Sequence, residues 1–283
     1  SRFHLRTVVV DGGDSRAAWI PVSHNHAGFP QGIAGTELLD RMAEQAMEFG
    51  TTIVRDRIEH IERDGAAFVA RGSGSYRARA VLLATGVVNN RPAIDDALHG
   101  EALAAGALRY CPVCDGFEVT DKRVGVVGTS DRGFKEAIFL RGYTSDLTLI
   151  AADGAHDLSP DQRRDLDSGG VVLVDGPARD FTLIDDGIEL TTAEGRRSFF
   201  SIYPALGSEV RSELAEALGA DTENAGCIIV DTHQRTSVPG LYAAGDVVLG
   251  LDQISHAMGE GGVAAATIRN DFAEQRPLRR RSA

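Results

Sequence analysis

Two cysteines separated by two residues are the side chains of this sequence best placed to do chemistry. The run Cys111-Pro112-Val113-Cys114 lets both sulfur atoms meet at the start of a helix. At that position the helix dipole and the free backbone amides lower the pKa of a thiol and raise its thiolate fraction. Because the thiolate is the nucleophile in disulfide exchange, the spacing predicts a redox-active pair.

A zinc site and a purely structural disulfide are the alternatives for this pair. A structural zinc ion needs four ligands, and the chain has three cysteines in all. The third, Cys227, lies in the run CIIV without a second CxxC or an HxxxH beside it. We therefore predict no metal site.

The composition narrows the class of protein. The chain has 283 residues, 43% of them hydrophobic, and 41 acidic against 29 basic side chains give a net charge of -12. These values predict a globular protein long enough for two domains and disfavour a nucleic-acid partner. No apolar run approaches the roughly 20 residues that cross a bilayer, and the first residues lack a secretory pattern. We expect a cytoplasmic protein that does not enter the membrane.

The first residues predict part of a dinucleotide-binding unit. The apolar run Thr7 to Val10 predicts a buried strand, and Asp11-Gly12-Gly13 closes it. An acid at that strand end holds a ribose hydroxyl in such units, and a glycine-rich turn precedes it by about 20 residues. Since that turn is missing upstream, we expect the native chain to extend beyond Ser1 and to contain the first βα unit.

Elements that would position these residues follow along the chain. Residues 36–49 have helical apolar spacing between a Thr36 cap and Gly50. A β-meander is predicted over 57–80 and a buried strand over 80–87. The later predictions are a strand, turn, helix and strand over 123–150, a helix from Ser212, strands at 227–231 and 241–246, and a closing helix over 253–274. This alternation predicts an α/β fold with two Rossmann-like, three-layer nucleotide-binding domains.

An ordered series of motifs resembles the low-molecular-weight thioredoxin reductases, which are FAD-dependent pyridine nucleotide-disulfide oxidoreductases. The series is NHAGFP from Asn25, GIAG from Gly32, LLATGV, YCPVCDG and TSVPGLYAAGDV. The resemblance implies that residues 1–108 and 209–283 form the FAD-binding domain, and that an NAD(P)-binding-like domain carrying the CxxC, 109–208, is inserted into it. It also implies a homodimer.

The resemblance assigns roles around the cysteines. It implies that Cys114 is the sulfur nearest the flavin, that Cys111 exchanges with a substrate disulfide, and that Asp115 protonates the departing thiolate. A carboxyl group beside a buried sulfur suits that role, because burial raises its pKa. The alternative is that Asp115 only caps the following turn.

The same resemblance implies a set of FAD-binding residues. These are Asp11, Gly12, Gly13, Asn25, Thr85, Gly86, Gly245, Asp246 and the helix start Gln253-Ile254-Ser255. His256 lies outside the thioredoxin reductase pattern. We interpret it as a base near the cysteines, as in flavin-dependent dithiol oxidases, or as an ordinary helix histidine.

The nicotinamide-binding part of the sequence departs from the family pattern. The turn Gly128-Thr-Ser130-Asp-Arg-Gly133 has serine where a second glycine admits the pyrophosphate. The family's His-Arg-Arg cluster for the adenosine phosphate is replaced by Ala151-Ala152-Asp153. Since alanine cannot pair with a phosphate and Asp153 repels one, NADPH is disfavoured, while NADH remains compatible with Asp153. The alternative is that Arg132 or Arg163-Arg164 replaces the missing cations.

Three functions stay open at this point. In the first, electrons from NADH, ferredoxin or another donor pass through the flavin and the cysteine pair to a thioredoxin-like protein or small disulfide. In the second, the chain oxidises a small dithiol with oxygen and needs no nicotinamide. In the third, it is a non-catalytic flavin-binding fragment.

Overall fold

The computed structural model describes residues 1–223, 225–276 and 278. They form two compact units, each made of discontinuous segments. The first, called the central unit because most of it comes from the middle of the sequence, contains Trp19–Gly35 and Asn89–Ser208. The second, called the outer unit because most of it comes from the two ends of the sequence, contains Ser1–Ala18, Thr36–Val88 and the described residues from Glu209 onward. Residues 19–35 and 89–108 therefore group with the central unit, although the sequence placed them in the flavin domain; the predicted ligand-binding boundaries stay a prediction.

The strands alternate with helices through much of the chain. The strands are β1 (Val8–Asp11), β2 (Thr52–Arg55), β3 (His60–Asp64), β4 (Ala67–Arg71), β5 (Ser75–Ala78), β6 (Val81–Leu83), β7 (Val87–Asn89), β8 (Val124–Val127), β9 (Leu147–Ile150), β10 (Val172–Val174), β11 (Arg179–Ile184), β12 (Gly187–Thr192), β13 (Gly195–Phe199), β14 (Ser201–Pro204), β15 (Ser208–Val210) and β16 (Leu241–Ala243). The helices are α1 (Gly35–Glu48), α2 (Asp96–Ala104), α3 (Pro112–Asp115), α4 (Asp131–Leu140), α5 (Pro160–Ser168), α6 (Glu213–Ala217) and α7 (Ile254–Gln275). No helix in the described ranges is long and apolar enough to cross a membrane.

A four-stranded parallel sheet in the order β10-β9-β8-β14 forms the middle of the central unit. All four residues of β8 and of β9 are buried. Strands covered on both faces need apolar side chains in both directions, which explains their continuous hydrophobic runs. These strands confirm the prediction of a βαβ unit over 123–150.

Each face of this sheet packs against a different layer. On one face, Ala137 and Leu140 of α4 and Leu166 of α5 join the buried strand residues. On the other, Ile188 and Leu190 of the antiparallel β11-β12-β13 sheet pack with α2. The result is a three-layer Rossmann-type arrangement, in agreement with the α/β fold predicted from the sequence.

The outer unit has the same kinds of element in smaller sheets. The strands β1 and β2 pair in parallel, as do β6 and β16, and β3-β4-β5 form the predicted antiparallel meander. The helix α1 ends where Gly50, at φ +78°, donates its amide to the Met47 carbonyl. That left-handed residue is the helix stop that the sequence predicted.

The strand predictions for the outer unit are wrong at three places. The buried strand predicted over 80–87 is shorter, since β6 covers Val81–Leu83, and Leu82 within it is 37% exposed. The strand β1 is not buried, since Val8 and Val9 are 52% and 41% exposed; in the described residues it pairs along one edge only, with β2. Residues 227–231 do not form a strand. Ile228 makes isolated bridges to Thr222 and Val248 and is fully buried, whereas Ile229 is exposed. The apolar run there anchors a loop through Ile228, with the partly buried Val230 packed against the same core.

Candidate active site

The cysteine pair lies at the start of α3 and is joined as a disulfide, with the two Sγ atoms 2.06 Å apart. Cys111 is the residue before the helix, in extended conformation, and its Sγ accepts a hydrogen bond from the Cys114 amide at 3.2 Å. Pro112 occupies the first helical position, where its ring fits and its missing N–H costs nothing. The sequence thus places both sulfur atoms at a helix N-terminus, as predicted.

Asp115 ends the same short helix and is tied down by two side chains. The Tyr203 hydroxyl donates to Oδ1 at 2.9 Å, and Arg109 Nη1 lies 3.1 Å from Oδ2. Burial raises the pKa of Asp115 above its ordinary value, while Arg109 and Tyr203 act in the opposite direction. A carboxyl group whose proton is held more tightly beside a disulfide suits an acid. The assigned role of Asp115 stays a prediction.

Arg109 and Tyr203 were not identified from the sequence. Arg109 Nε is held by the Gly106 carbonyl at 3.0 Å and by Ser201 Oγ at 3.2 Å, so its guanidinium faces Asp115 in a fixed orientation. Its place two residues before the CxxC is a usable sequence signal for a cation near the site. Tyr203 is 88 residues away from Asp115 along the chain. Only the parallel pairing of β14 with β8 brings it there.

Two further acids near the disulfide were also missed. Glu118 follows α3, and Glu136 lies on α4, which packs against α3. One carboxylate oxygen of each, Glu118 Oε2 and Glu136 Oε1, is buried without a hydrogen-bond partner in the described part of the chain. Burial raises the pKa of Glu136 to about 7, with Arg132 opposing that rise and Asp115 adding to it.

A cavity of about 400 Å³ connects the disulfide helix with α4. It is lined by Pro112 and Val113, the two residues between the cysteines, and by five residues of α4: Asp131, Arg132, Lys135, Glu136 and Phe139. The cavity therefore presents both charge signs and apolar surface next to the cysteine pair.

The turn before α4 keeps part of the predicted dinucleotide-binding geometry. A Cβ on Gly128 would lie 2.9 Å from the Gly133 Cα, so the strand end and the helix meet backbone to backbone. Ser130 precedes the helix in extended conformation, and its side chain makes no capping bond. Asp131 follows, with its carboxylate 2.6 Å from Lys135 Nζ and 2.9 Å from Gln162 Nε2. An anion thus already lies in the first turn of the helix, where a pyrophosphate is favoured.

The end of β9 offers no cation for a second phosphate. Ala151 is completely buried, and the Ala152 amide donates to Thr129 Oγ1 at 3.1 Å. Asp153, which comes next, is exposed. The three residues have the placement that the sequence predicted for an adenosine-binding segment but the wrong charge for an adenosine phosphate.

The predicted ribose-binding acid lies at the end of β1. Asp11 Oδ1 accepts the Gly13 amide at 2.9 Å, and Oδ2 is paired with Arg55 of the neighbouring strand. Gly13 has φ +92°, so the Asp11-Gly12-Gly13 turn needs a residue without Cβ. The acid is fixed at a parallel strand end, as the sequence predicted.

Two further strand ends in the outer unit carry the other predicted FAD residues. After β6, Thr85 Oγ1 donates to the Arg211 carbonyl at 2.6 Å, and Gly86 has φ +65° with open space where a Cβ would be. After β16, Gly245 has φ +81° and its amide donates to Glu260 Oε2 at 2.7 Å. The adjacent parallel strands β6 and β16 bring both turns to one sheet edge.

Asp246 follows Gly245 and shares an arginine with a second acid. Arg16 Nη1 lies 2.9 Å from Asp246 Oδ2 and 2.9 Å from Asp252 Oδ2, so one guanidinium bridges two carboxylates. Burial and then the charge of Asp252 raise the pKa of Asp246, and Arg16 lowers it. Arg16 was not identified from the sequence, because it is 230 residues from Asp246 along the chain.

The remaining predicted residues fall at two places. Gln253, Ile254 and Ser255 start α7, and His256 follows them with Nε2 3.0 Å from Glu260 Oε1 one turn later. His256 therefore has a helix partner of its own, and its role as a base stays a prediction. Asn25 lies in the central unit and accepts from the Ser23 hydroxyl at 3.1 Å. The described residues contain no group of His, Cys, Asp and Glu side chains placed to hold a metal.

Comparison with known proteins identifies the family to which the chain belongs. Residues 15–261 match the model of the family described as pyridine nucleotide-disulphide oxidoreductase. The chain is 30% identical over 291 residues to the thioredoxin reductase of Bacillus subtilis, covering 95% of this chain and 88% of that protein. It is 28% identical over 291 residues to that of Peptoclostridium acidaminophilum, covering 94% and 89%.

Solved structures show the same fold. The structure of HlmI has a TM-score of 0.86 at 28% identity and covers 97% of this chain and 87% of its own. The thioredoxin reductase of Streptococcus pyogenes has a TM-score of 0.86 at 24% identity, covering 96% and 92%. Together with the family match and the disulfide at the start of α3, these findings show that the chain belongs to the pyridine nucleotide-disulphide oxidoreductases, as a thioredoxin reductase-like, flavin-dependent disulfide oxidoreductase.

Proposed function

We propose that this chain moves electrons between FAD and the Cys111–Cys114 disulfide, and onward between that pair and a thioredoxin-like protein or a small disulfide. The observation that carries the proposal is the disulfide at the N-terminus of α3 with the partly buried Asp115 in the same helix. A disulfide-exchange step needs an attackable sulfur and a proton for the leaving sulfur. Both groups are supplied within five consecutive residues.

The outer unit supports FAD as the cofactor. Gly86 has open space beside its backbone, and the buried carboxylate of Asp246 comes at the end of a parallel strand, where nucleotides bind in such sheets. We propose that Asp11, Thr85, Gly86 and Asp246 hold it, with Gln253 to Ser255 presenting the amide end of α7. When bound, FAD supplies two-electron redox chemistry. Family membership also implies a nicotinamide dinucleotide.

The residues around Cys111 then do the rest of the chemistry. Cys111 exchanges with the substrate sulfur, and Cys114 is the sulfur that leaves. The Cys114 amide donates a hydrogen bond to Cys111 Sγ. Asp115 gives its proton to the sulfur that leaves. Arg109 and Tyr203 stabilise the carboxylate that results, since each donates to one of its two oxygens. In the reverse direction the same carboxylate takes the proton back.

A second candidate, oxidation of a small dithiol by oxygen, is favoured by one observation. The donor set around Gly128 and β9 does not fit the adenosine phosphate of NADPH, because Ala151, Ala152 and Asp153 provide no cation and Asp131 places a carboxylate in the first turn of α4. An enzyme that receives electrons from a dithiol has no need of that site. We propose NADH rather than NADPH for the reductase function, with Asp153 as the acceptor of a ribose hydroxyl.

One experiment separates these functions. The purified intact protein is made anaerobic, and the flavin absorbance is followed while NADPH, NADH or a dithiol is added separately. Bleaching by NADH supports the reductase, and bleaching by dithiol alone, with the absorbance restored by air, supports the oxidase. Failure of all three additions to bleach a bound flavin would contradict both and leave a non-catalytic flavin-binding protein.

A further inference from the structure

Glu136 is a partly buried acid near the disulfide that the proposed chemistry does not use. It lies on α4, its Oε1 is buried without a partner among the described residues, and it lines the same cavity as Pro112 and Val113. An ionised carboxylate in that position loses hydration without gaining a hydrogen bond at Oε1, which favours its neutral, protonated form.

The surroundings of Glu136 contain one dominant opposite charge and one dominant like charge. On α4 itself, Arg132 is one turn away and favours the ionised form, while Lys135 is occupied with Asp131. From α3, the charge of Asp115 disfavours ionisation of Glu136. The strands beneath α4, β8 and β9, have no charged side chains.

The other charged side chains near α4 either change the pKa of Asp115 or are exposed to solvent. Glu118 adds to the repulsion that raises the pKa of Asp115, and Arg109 opposes it. The helix α5 turns the buried Leu166 toward α4 and keeps its charged side chains exposed. Asp115 and Glu136 are therefore two partly buried carboxyl groups that interact, and two interacting like charges ionise at different pH values.

We propose that Glu136 is a positioning residue for Asp115, and that the two carboxyl groups together retain one proton for the sulfur that leaves the disulfide. The inference rests on the proposed disulfide exchange and deepens it. Asp115 remains the group that meets the sulfur. Glu136 acts through Asp115, by keeping one proton in the site over a pH range in which a lone aspartate has already lost its own.

The step balances when dithiothreitol is the reductant. One of its thiolates bonds to Cys111 Sγ, the Cys111–Cys114 bond breaks, and the electron pair stays on Cys114 Sγ. That sulfur takes the proton of Asp115, and the Asp115 carboxylate is then reprotonated by water, a step that the nearby Glu136 favours because two like charges disfavour each other. The second dithiothreitol thiolate then displaces Cys111, so the protein disulfide gains two electrons and dithiothreitol is oxidised to its cyclic disulfide.

The test is the pH dependence of this reduction in the purified full chain. Excess dithiothreitol is added anaerobically between pH 5.5 and 9, samples are quenched with acid, and the new thiols are alkylated and counted by mass. Each rate is divided by the thiolate fraction of dithiothreitol, so that the remaining decline with pH reports loss of the proton from the site. The variants are Glu136→Gln and, as a matched control on exposed α2 surface, Glu101→Gln.

We expect the declining limb of Glu136→Gln to move to lower pH and its corrected rate at pH 7.5 to fall at least about threefold, since the general-acid contribution it weakens is about a hundredfold or more. Glu101→Gln should follow the wild type. A third variant, Arg132→Met, removes the cation that favours ionised Glu136, so its limb should move to higher pH. This opposite shift keeps the proposal testable if Glu136→Gln does not fold.

Two failures are distinguishable. In the first, the pH profiles of Glu136→Gln and Arg132→Met superimpose on that of the wild type, while Asp115→Asn removes the declining limb. This result would overturn the role of Glu136 and leave the proposed function intact. An unchanged limb in Asp115→Asn would contradict the acid role of Asp115 itself, and with it the proposed exchange mechanism.

Discussion

Two helix starts in the central unit, those of α3 and α4, resemble one another in position and differ in what they offer a ligand. The start of α3 presents a sulfur that accepts the Cys114 amide, with a protonatable Asp115 at the helix end. The start of α4 presents Asp131, whose carboxylate is held by Lys135 and Gln162. The first combines a disulfide with a carboxyl group whose pKa is raised, whereas the second keeps the close backbone approach of a dinucleotide turn and carries an acidic side chain in its first turn.

The difference shows that a fold preserves geometry more strictly than it preserves a ligand. The close approach of Gly128 and Gly133 is a packing requirement of the strand and the helix, so it remains whether or not a dinucleotide binds. The charges at Asp131 and Asp153 are exposed and carry little of the stability of the unit. They are free to change with the electron donor.

The largest effect is expected at the start of α3. Cys111→Ser should abolish turnover with any disulfide or dithiol while the flavin spectrum and the melting temperature remain near wild type, because the hydroxyl cannot exchange with a disulfide. Cys227→Ser, in a partly buried loop of the outer unit, is the matched control and should keep its activity. Steady-state assays of both variants measure the contrast, and turnover by Cys111→Ser would refute its assigned role.

The acid of the same helix should give the next largest effect. Asp115→Asn is expected to slow exchange by about a hundredfold or more, which is the usual contribution of a general acid. Since burial raises the pKa of Asp115, its protonated form is present below that pKa, and the acid-assisted rate falls as pH rises through it. Asp146→Asn, which removes an exposed carboxylate paired with Arg123, should leave the pH profile unchanged.

A cation introduced after β9 tests whether charge limits NADPH binding near the start of α4. Asp153→Arg places a guanidinium after β9, and one charge-assisted hydrogen bond to a phosphate of about 1.5–3 kcal/mol should strengthen NADPH binding about tenfold or more. NADH affinity should not rise with it, because NADH lacks the adenosine phosphate. The measurement is a fluorescence titration with both nucleotides. Asp157→Arg, an exposed residue four positions later, carries the same charge change as a control; equal gains in both variants would point to nonspecific attraction.

The smallest effect is expected for the ion pair at the start of α4. Lys135 and Asp131 are exposed and four residues apart, so Lys135→Ala should change the free energy of unfolding by no more than about 0.5 kcal/mol. Leu140→Ala on the same helix removes a fully buried side chain and should cost about 2–5 kcal/mol. Urea unfolding of both variants measures the difference. A large loss in Lys135→Ala would mean that Asp131 is held there for stability.

The sequence by itself determined the parts of this protein that depend on neighbours along the chain. The spacing of Cys111 and Cys114, Gly50 at the end of α1 and the apolar runs of β8 and β9 are local signals, so the helices, the central strands and the redox pair follow from them. The loss of cations at Ala151 and Ala152 is equally local, because it is a matter of residue type after a predictable strand.

Only the tertiary structure decided which distant side chains share a site. Tyr203 reaches Asp115 because β14 pairs with β8, Arg16 bridges Asp246 and Asp252 across most of the chain, and Glu136 enters the disulfide site because α4 packs against α3. Burial was decided in the same way. Val8 is 52% exposed although it lies in an apolar strand, and burial raises the pKa of Glu136 to about 7. Desolvation and pairing depend on distances in space, which a single sequence does not contain.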